Sequence, residues 1–362
     1  MNSLEISHPI RSFNGHTDGS APIVQGFVQE STGLPKDLST TISDPTITIL
    51  DLENGEQKHQ MDQWDLKRAE AAGEKLVNLA AFLNGINKKD GSNTFPQRLL
   101  ESYMVHHNLY NDLLNRGEGR IQEVKSGTDL DQVMSGNQIG LVRSVEGVYG
   151  EHTREDLDIM VDKGVKIWCF MWNFNNPDTG ATAKTTNTDE DTGLTIRGQD
   201  FIDYLANKKR VAIDLSHASD MTTRDVLKIT KAGTPAIATH SGARAVTDDK
   251  RNLTDELAWQ IATQGGFIGI PFVNGFIDNS PEGAVAHIRH FADIGLINHI
   301  SLGPDFDGVT KKGVVKGLED PTVAYNNISE AMEKNGFTQK EIEGVLFKNA
   351  LRYMQNHLFT NK

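Results

Sequence analysis

Five residues of this chain have the types that bind divalent cations, and each stands at or just past the end of a short apolar run. They are His16 and Asp18 in NGHTDGS, Glu146 in RSVEGVYG, His217 in AIDLSHASD and His240 in IATHSGARA. Three imidazoles and two carboxylates can hold two divalent ions when one carboxylate bridges them. His16 and Asp18 are two apart, so an extended backbone turns both side chains to one face. A carboxylate such as Glu146 at the end of an apolar strand costs several kcal/mol unless a cation or a partner such as Arg143 meets it. His217 and His240 follow equivalent strand-like runs, and their neutral nitrogens suit zinc. The second ring nitrogen of such a ligand needs an acceptor, for which Asp214 is a candidate.

Further groups lie close to these in the chain. Asp305 and Asp307 share SLGPDFDGV at the end of another apolar run, and one of them is a candidate acid–base. Arg244 and Arg251 follow His240, and an arginine fork matches a carboxylate bidentately. The pairs His106–His107 and His287/His290 fall on helical patterns and read as packing or surface residues. Cys169, the single cysteine, sits in VKIWCFMW and reads as a buried, inert thiol.

From residue 139 onward, short β-branched runs alternate with segments of i, i+3, i+4 periodicity, which predicts parallel strands joined by helices. Gly164, Gly233 and Gly295 are placed to end three of those helices. This half supplies six strands. PIRSFNGH near 9–16 and KLVNLAAFL near 75–83 raise the number to eight, the number that closes a (β/α)8 TIM barrel with its active site at the C-terminal strand ends. An open doubly wound sheet competes, but neither GxGxxG nor a P-loop supports it. The expected organisation is one barrel domain over residues 1–362 with polar excursions near 29–60 and 176–193. The second excursion follows the fourth strand and is either a lid or a solvated loop.

The chain has 362 residues, 37% hydrophobic and 23% charged, a globular balance. Its net charge of −13 argues against nucleic acid or an anionic membrane as partner. A lone cysteine excludes an intramolecular disulfide framework. With no signal peptide, membrane anchor or apolar span of ~20 residues visible, the expected location is cytoplasmic. A homodimer is left open.

HTD near the N-terminus, VEG, GLTIRGQDFIDYL running into VAIDLSH, ATHSGARAVTDDKRNLTDE, and LGPDFDG followed by KGLED together resemble the membrane (renal) dipeptidase family of zinc peptidases, of the amidohydrolase-type barrel group. The resemblance implies two zinc ions per chain. His16 and Asp18 would bind one, His217 and His240 the other, and Glu146 would bridge them. It assigns Arg251, in KRNLTDE, to the substrate's terminal carboxylate and Asp305 to proton shuttling. It implies a dipeptide substrate, including dipeptides with a C-terminal D-residue. One position departs from the family pattern: where many members carry a histidine that contacts the substrate carbonyl, MWNFNN places Trp172. An indole N–H donates one hydrogen bond but exchanges no proton. Two other functions stay open, a metal-dependent amidase or lactonase for a small non-peptide acyl compound and a non-catalytic metal-dependent binding protein.

Overall fold

A computed structural model describes residues 63–83, 99–117, 119–149, 152–176, 178–183, 191–231, 233–309 and 312–360, with the backbone alone for 12–17, 85–86 and 93–94. In chain order the strands are β1 (Ser12–Thr17), β2 (Glu74–Phe82), β3 (Gly85–Ile86), β4 (Asn93–Thr94), β5 (Ile121–Glu123), β6 (Ile139–Glu146), β7 (Val165–Cys169), β8 (Ala212–Ile213), β9 (Ile268–Ile270) and β10 (Ile300–Leu302). The main sheet runs β1-β2-β6-β7-β8, and β5 pairs with β6. All these ladders are parallel. The array continues through parallel bridges Asp214↔Ile237 and Ala238↔Ile268 to the parallel pair β9–β10. β10 lies against β1, which brings the two ends of the array together. Both strands expected from the first half are present as β1 and β2. The 29–60 excursion falls outside the described residues.

Helices separate the strands as the periodicity requires, and capping residues set where they start. Thr153, Thr195, Ser219, Thr254, Ser280 and Asp320 each accept a first-turn backbone N–H, and Pro281 and Pro321 open the two helices that follow the last of these caps. Gly164 and Gly295 end their helices at φ 101° and 85°, in the left-handed region that favours glycine. Gly233 does something else. A Cβ there would lie 1.8 Å from Asn207 Oδ1 and 2.9 Å from the Ala206 carbonyl, so it permits a close approach of two chain segments and is not a left-handed cap.

Strand register sorts the side chains. Leu76, Val142, Ile167, Ala212 and Ile237 share one face and pack with Phe267, Phe347 and Tyr353. Val77, Leu79, Leu141, Val145, Trp168 and Ile213 belong to the larger core formed with the helices. The first face is the functional one, because alternation carries it from Val142 to Glu146. Phe82 pairs with Glu146, and Glu146 with Cys169, across the top of that face.

Candidate functional site

Glu146, His217 and His240 converge at the strand ends. One ligand atom from each lies within 4.8 Å of the others, and all three residues are buried. His217 Nε2 is 3.1 Å from Glu146 Oε1 and 3.0 Å from His240 Nε2. Two imidazole nitrogens and a carboxylate oxygen aimed at one point suit a cation better than one another. Ligands about 2.0–2.1 Å from a tetrahedral zinc stand about 3.3 Å apart, close to this spacing. Among the described residues this is the only such cluster. The backbone of His16 lies in β1, beside β2; its side chain and the whole of Asp18 lie outside the described residues.

A buried network holds His240. Asp214 Oδ1 accepts the Ser216 N–H at 3.0 Å, the Ser216 hydroxyl at 2.8 Å and the Thr239 N–H at 2.9 Å. Asp214 Oδ2 accepts the Thr239 hydroxyl. With its proton committed to the carboxylate, Thr239 Oγ1 is an acceptor toward His240 Nδ1, 2.9 Å away. The network therefore assigns the Nδ1–H tautomer to His240 and leaves the Nε2 lone pair facing the cluster. The His240 N–H also donates to Ser216 Oγ at 3.0 Å. Asp214 therefore reaches the His240 imidazole through Thr239. Gly269 and Gly303 make room for this segment: a Cβ would stand 2.0 Å and 1.7 Å, respectively, from the Thr239 carbonyl oxygen.

His217 is held at its backbone. It adopts φ 70°, an uncommon conformation for a residue other than glycine. Its carbonyl accepts the Ala183 N–H and the Thr182 hydroxyl, each at 2.8 Å. The described ends of the 176–193 excursion thus pack on the site. Asp191 accepts from the Ser219 hydroxyl and the Met221 N–H.

Arg143 is not the partner of Glu146. Three residues away along a strand, it lies on the opposite face, with Nε 2.5 Å from Glu123 Oε1 and contacts to His107 and Asn111. The two candidate arginines also part company. Arg244 spends its fork on Asp220, with two contacts of 2.7 Å. Arg251 is buried, donates one long bond of 3.4 Å to the His240 carbonyl, and stacks over Phe276 at 5.2 Å. Its Nε has no hydrogen-bond partner among the described residues. Burial lowers its pKa, while the Glu146 and Asp305 carboxylates act in the opposite direction. This guanidinium is thus a buried cation with donors to spare.

The aspartates of GPDFDG separate too. Both have positive φ, 60° for Asp305 and 63° for Asp307. Asp307 accepts the Gln63 and Trp64 N–H groups at 2.8 and 3.3 Å and donates its own N–H to Gln63 Oε1 at 3.0 Å, so it latches a distant segment. Asp305 is the one whose charge Arg251 feels. Trp172 stands beside the cluster, its ring centroid 6.5 Å from that of His217 and 4.8 Å from Phe82.

The two histidine pairs on helices are structural, as their spacing suggested. His106 and His107 are pushed down to about 3 and about 4, mainly by burial. His287, likewise pushed down to about 4 by burial, accepts the Ala243 N–H at 2.8 Å and so fixes the loop that carries Arg251. His290 pairs with Asp255. Cys169 is buried, with Sγ near the Met171 and Ser216 carbonyls. Thr239, Thr182 and Phe82 were not singled out from sequence. Only Thr239 carried a signal, its place next to His240.

A parallel strand–helix array thus carries a buried Glu–His–His donor set at its strand ends, residues of the types that could hold a divalent cation. The family model of membrane dipeptidases (peptidase family M19) matches residues 21–361, and the chain belongs to that family. An uncharacterized dipeptidase of Schizosaccharomyces pombe is 32% identical over 222 residues, which are 59% of this chain and 52% of that protein. A second from the same yeast is 31% identical over 58% of this chain and 52% of its own length, so the match spans about half of each of these relatives. Among solved structures, a metallopeptidase from Rhodobacter sphaeroides liganded with a phosphinate mimic of the dipeptide L-Ala-D-Ala superposes with TM-score 0.78 at 21% identity, covering 97% of this chain and all of that one. Among the described residues, no helix is long and apolar enough to cross a membrane.

Proposed function

We propose that this protein is a zinc-dependent dipeptidase. The observation that carries the reading is the convergence of Glu146, His217 and His240 beside a buried Arg251 guanidinium with unspent donors. The donor set fits zinc in type and spacing. His217 and His240 would hold one ion, His16 and Asp18 a second, and Glu146 would bridge them; the family membership and the place of β1 beside β2 support this assignment. Zinc bound there supplies Lewis acidity toward an amide carbonyl and brings the pKa of water toward neutrality. The chain's own groups do the rest. Arg251 binds the substrate's terminal carboxylate and so measures one residue from the scissile bond. Asp305 takes the proton of the attacking water and returns it to the leaving amine. Trp172 narrows the site and offers an indole N–H where a histidine is more common. Dipeptides ending in a D-residue are within this substrate class, which the L-Ala-D-Ala mimic bound by a structural relative supports. The acidic chain with its one buried thiol suits a cytoplasmic setting, acting as a single barrel unit.

The test is hydrolysis of a dipeptide panel by purified protein, before and after chelation and zinc repletion. The expected result is turnover that is lost with the metal and returns with it. A second reading, a metal-dependent amidase or lactonase, is favoured by Trp172 alone. It takes over if zinc-loaded protein cleaves small amides or lactones and no dipeptide.

A further inference from the structure

We infer that Phe82, Trp172 and Phe174 form an apolar ledge that selects dipeptides with a large apolar N-terminal side chain, an inference that rests on the dipeptidase reading. Phe82 lies directly across from Glu146 in the β2–β6 register. The Trp172 ring meets it edge to face at 4.8 Å and stands 5.9 Å from Phe174. Phe174, 37% exposed, is one of the few large hydrophobic side chains in the described residues with so much surface open. Exposed aromatic surface beside a polar cluster is surface that a ligand's apolar group can cover.

The ledge is held in place. Tyr149 donates to the Phe174 carbonyl and accepts the Trp172 N–H at 3.3 Å. Asn176 donates to the Val148 carbonyl at 2.7 Å, and the Thr182 hydroxyl lies between the Trp172 and His217 carbonyls, sharing its one proton with them. With its backbone fixed from three sides, the ledge loses little on binding a ligand.

Strand order gives the ledge its side of the substrate. Phe82, Trp172 and Phe174 come from the ends of β2 and β7. These strands flank β6 and Glu146, whereas Arg251 follows His240, beyond His217 in the order β2-β6-β7-β8 and the 235–240 segment. A dipeptide with its carboxylate on Arg251 and its amide at the Glu146–His217–His240 cluster therefore points its other residue, the N-terminal one, toward the ledge. Its side chain meets three aromatic rings.

The experiment compares kcat/KM for Gly-Ala, Ala-Ala, Leu-Ala and Phe-Ala with the reversed series Ala-Gly, Ala-Leu and Ala-Phe. It uses zinc-loaded wild type, Trp172→Ala and Phe174→Ala. Wild type should gain roughly 10-fold or more from Gly-Ala to Leu-Ala or Phe-Ala, the scale on which apolar pockets discriminate. The reversed series should spread less. Both variants should flatten the first series mainly through KM, with Gly-Ala changing least. Phe174 is at the surface, so its variant reports even if Trp172→Ala is unstable. A flat first series, a steeper reversed series, or an unchanged slope in Phe174→Ala overturns the ledge while leaving the dipeptidase reading standing. No turnover of any dipeptide overturns the dipeptidase reading itself.

Discussion

Replacing Thr239 with valine removes one oxygen from the site and nearly nothing else. The residue is fully buried, and valine is close to its isostere. Three interactions go with the hydroxyl: the bond it donates to Asp214, the bond it accepts from His240 Nδ1 at 2.9 Å and a long contact of 3.4 Å with the Ser216 hydroxyl. A buried imidazole N–H without an acceptor costs about 1–3 kcal/mol, and the imidazole is then free to change tautomer. The Nδ1–H tautomer is the one that presents an Nε2 lone pair to a cation, so the loss falls on metal binding more than on folding. Outer partners of metal-bound histidines typically contribute about 10- to 100-fold in affinity, or about 1.4–2.7 kcal/mol. Competition against a chromophoric chelator measures the zinc affinity, and a urea midpoint measures stability in parallel. We expect weaker zinc binding by that factor, with restoration in Thr239→Ser. If zinc affinity is unchanged while stability falls, the Asp214–Thr239–His240 chain is scaffolding and does not tune the ligand.

Three other predictions follow from the site. Arg251→Ala should lower kcat/KM on free dipeptides by roughly 10- to 150-fold, from the ~1.5–3 kcal/mol of a hydrogen bond to a charged group, and should change little on amidated dipeptides. Simple additivity of the two changes would mean that Arg251 does not read the carboxylate. Asp305→Asn should keep its zinc and lose ~10²–10⁴-fold in kcat; a dead Asp307→Asn beside a normal Asp305→Asn would show that the aspartates have been exchanged. The pKa of His287 lies at about 4, below its ordinary 6.5, so the unfolded chain takes up the proton first as pH falls. Its contribution is complete above about pH 6.5 and is lost between there and about pH 4, with a slope of at most about 1.4 kcal/mol per pH unit. Urea midpoints across this window should fall in wild type and fall less steeply in His287→Asn; equal slopes would contradict the assignment.

How far the site could be read in advance depends on how local each interaction is. Glu146, His217 and His240 were legible because each ends an apolar run in a repeating strand–helix pattern, and parallel strands place such ends together. Arg143 reads from sequence as a candidate partner of Glu146, although the two stand three residues apart on β6 and therefore, by strand parity, on opposite faces; it pairs with Glu123 instead. Parity failed at Thr239. The ladder ends at Ala238 and the chain bends, so adjacent residues Thr239 and His240 meet through their side chains. The latch of Asp307 onto Gln63 and Trp64 spans more than two hundred residues, and His287 reaches the Arg251 loop from another helix. Neither leaves a local signal. Gly233 has the placement of a helix stop, and its reason for being glycine is a neighbour from another segment, Asn207. The choice between Arg251 and Arg244 turned on Asp220, whose pairing with Arg244 no spacing rule discloses.

The most direct measurement titrates zinc into metal-free protein while following both bound zinc and dipeptide hydrolysis. Activity should begin near zero, rise with added zinc and level off at about two equivalents per chain, and His217→Ala and His240→Ala should each bind less zinc and hydrolyse less at saturation. Full hydrolysis by protein shown to be free of transition metal, or tight zinc binding that survives in Glu146→Ala, His217→Ala and His240→Ala alike, would contradict the account.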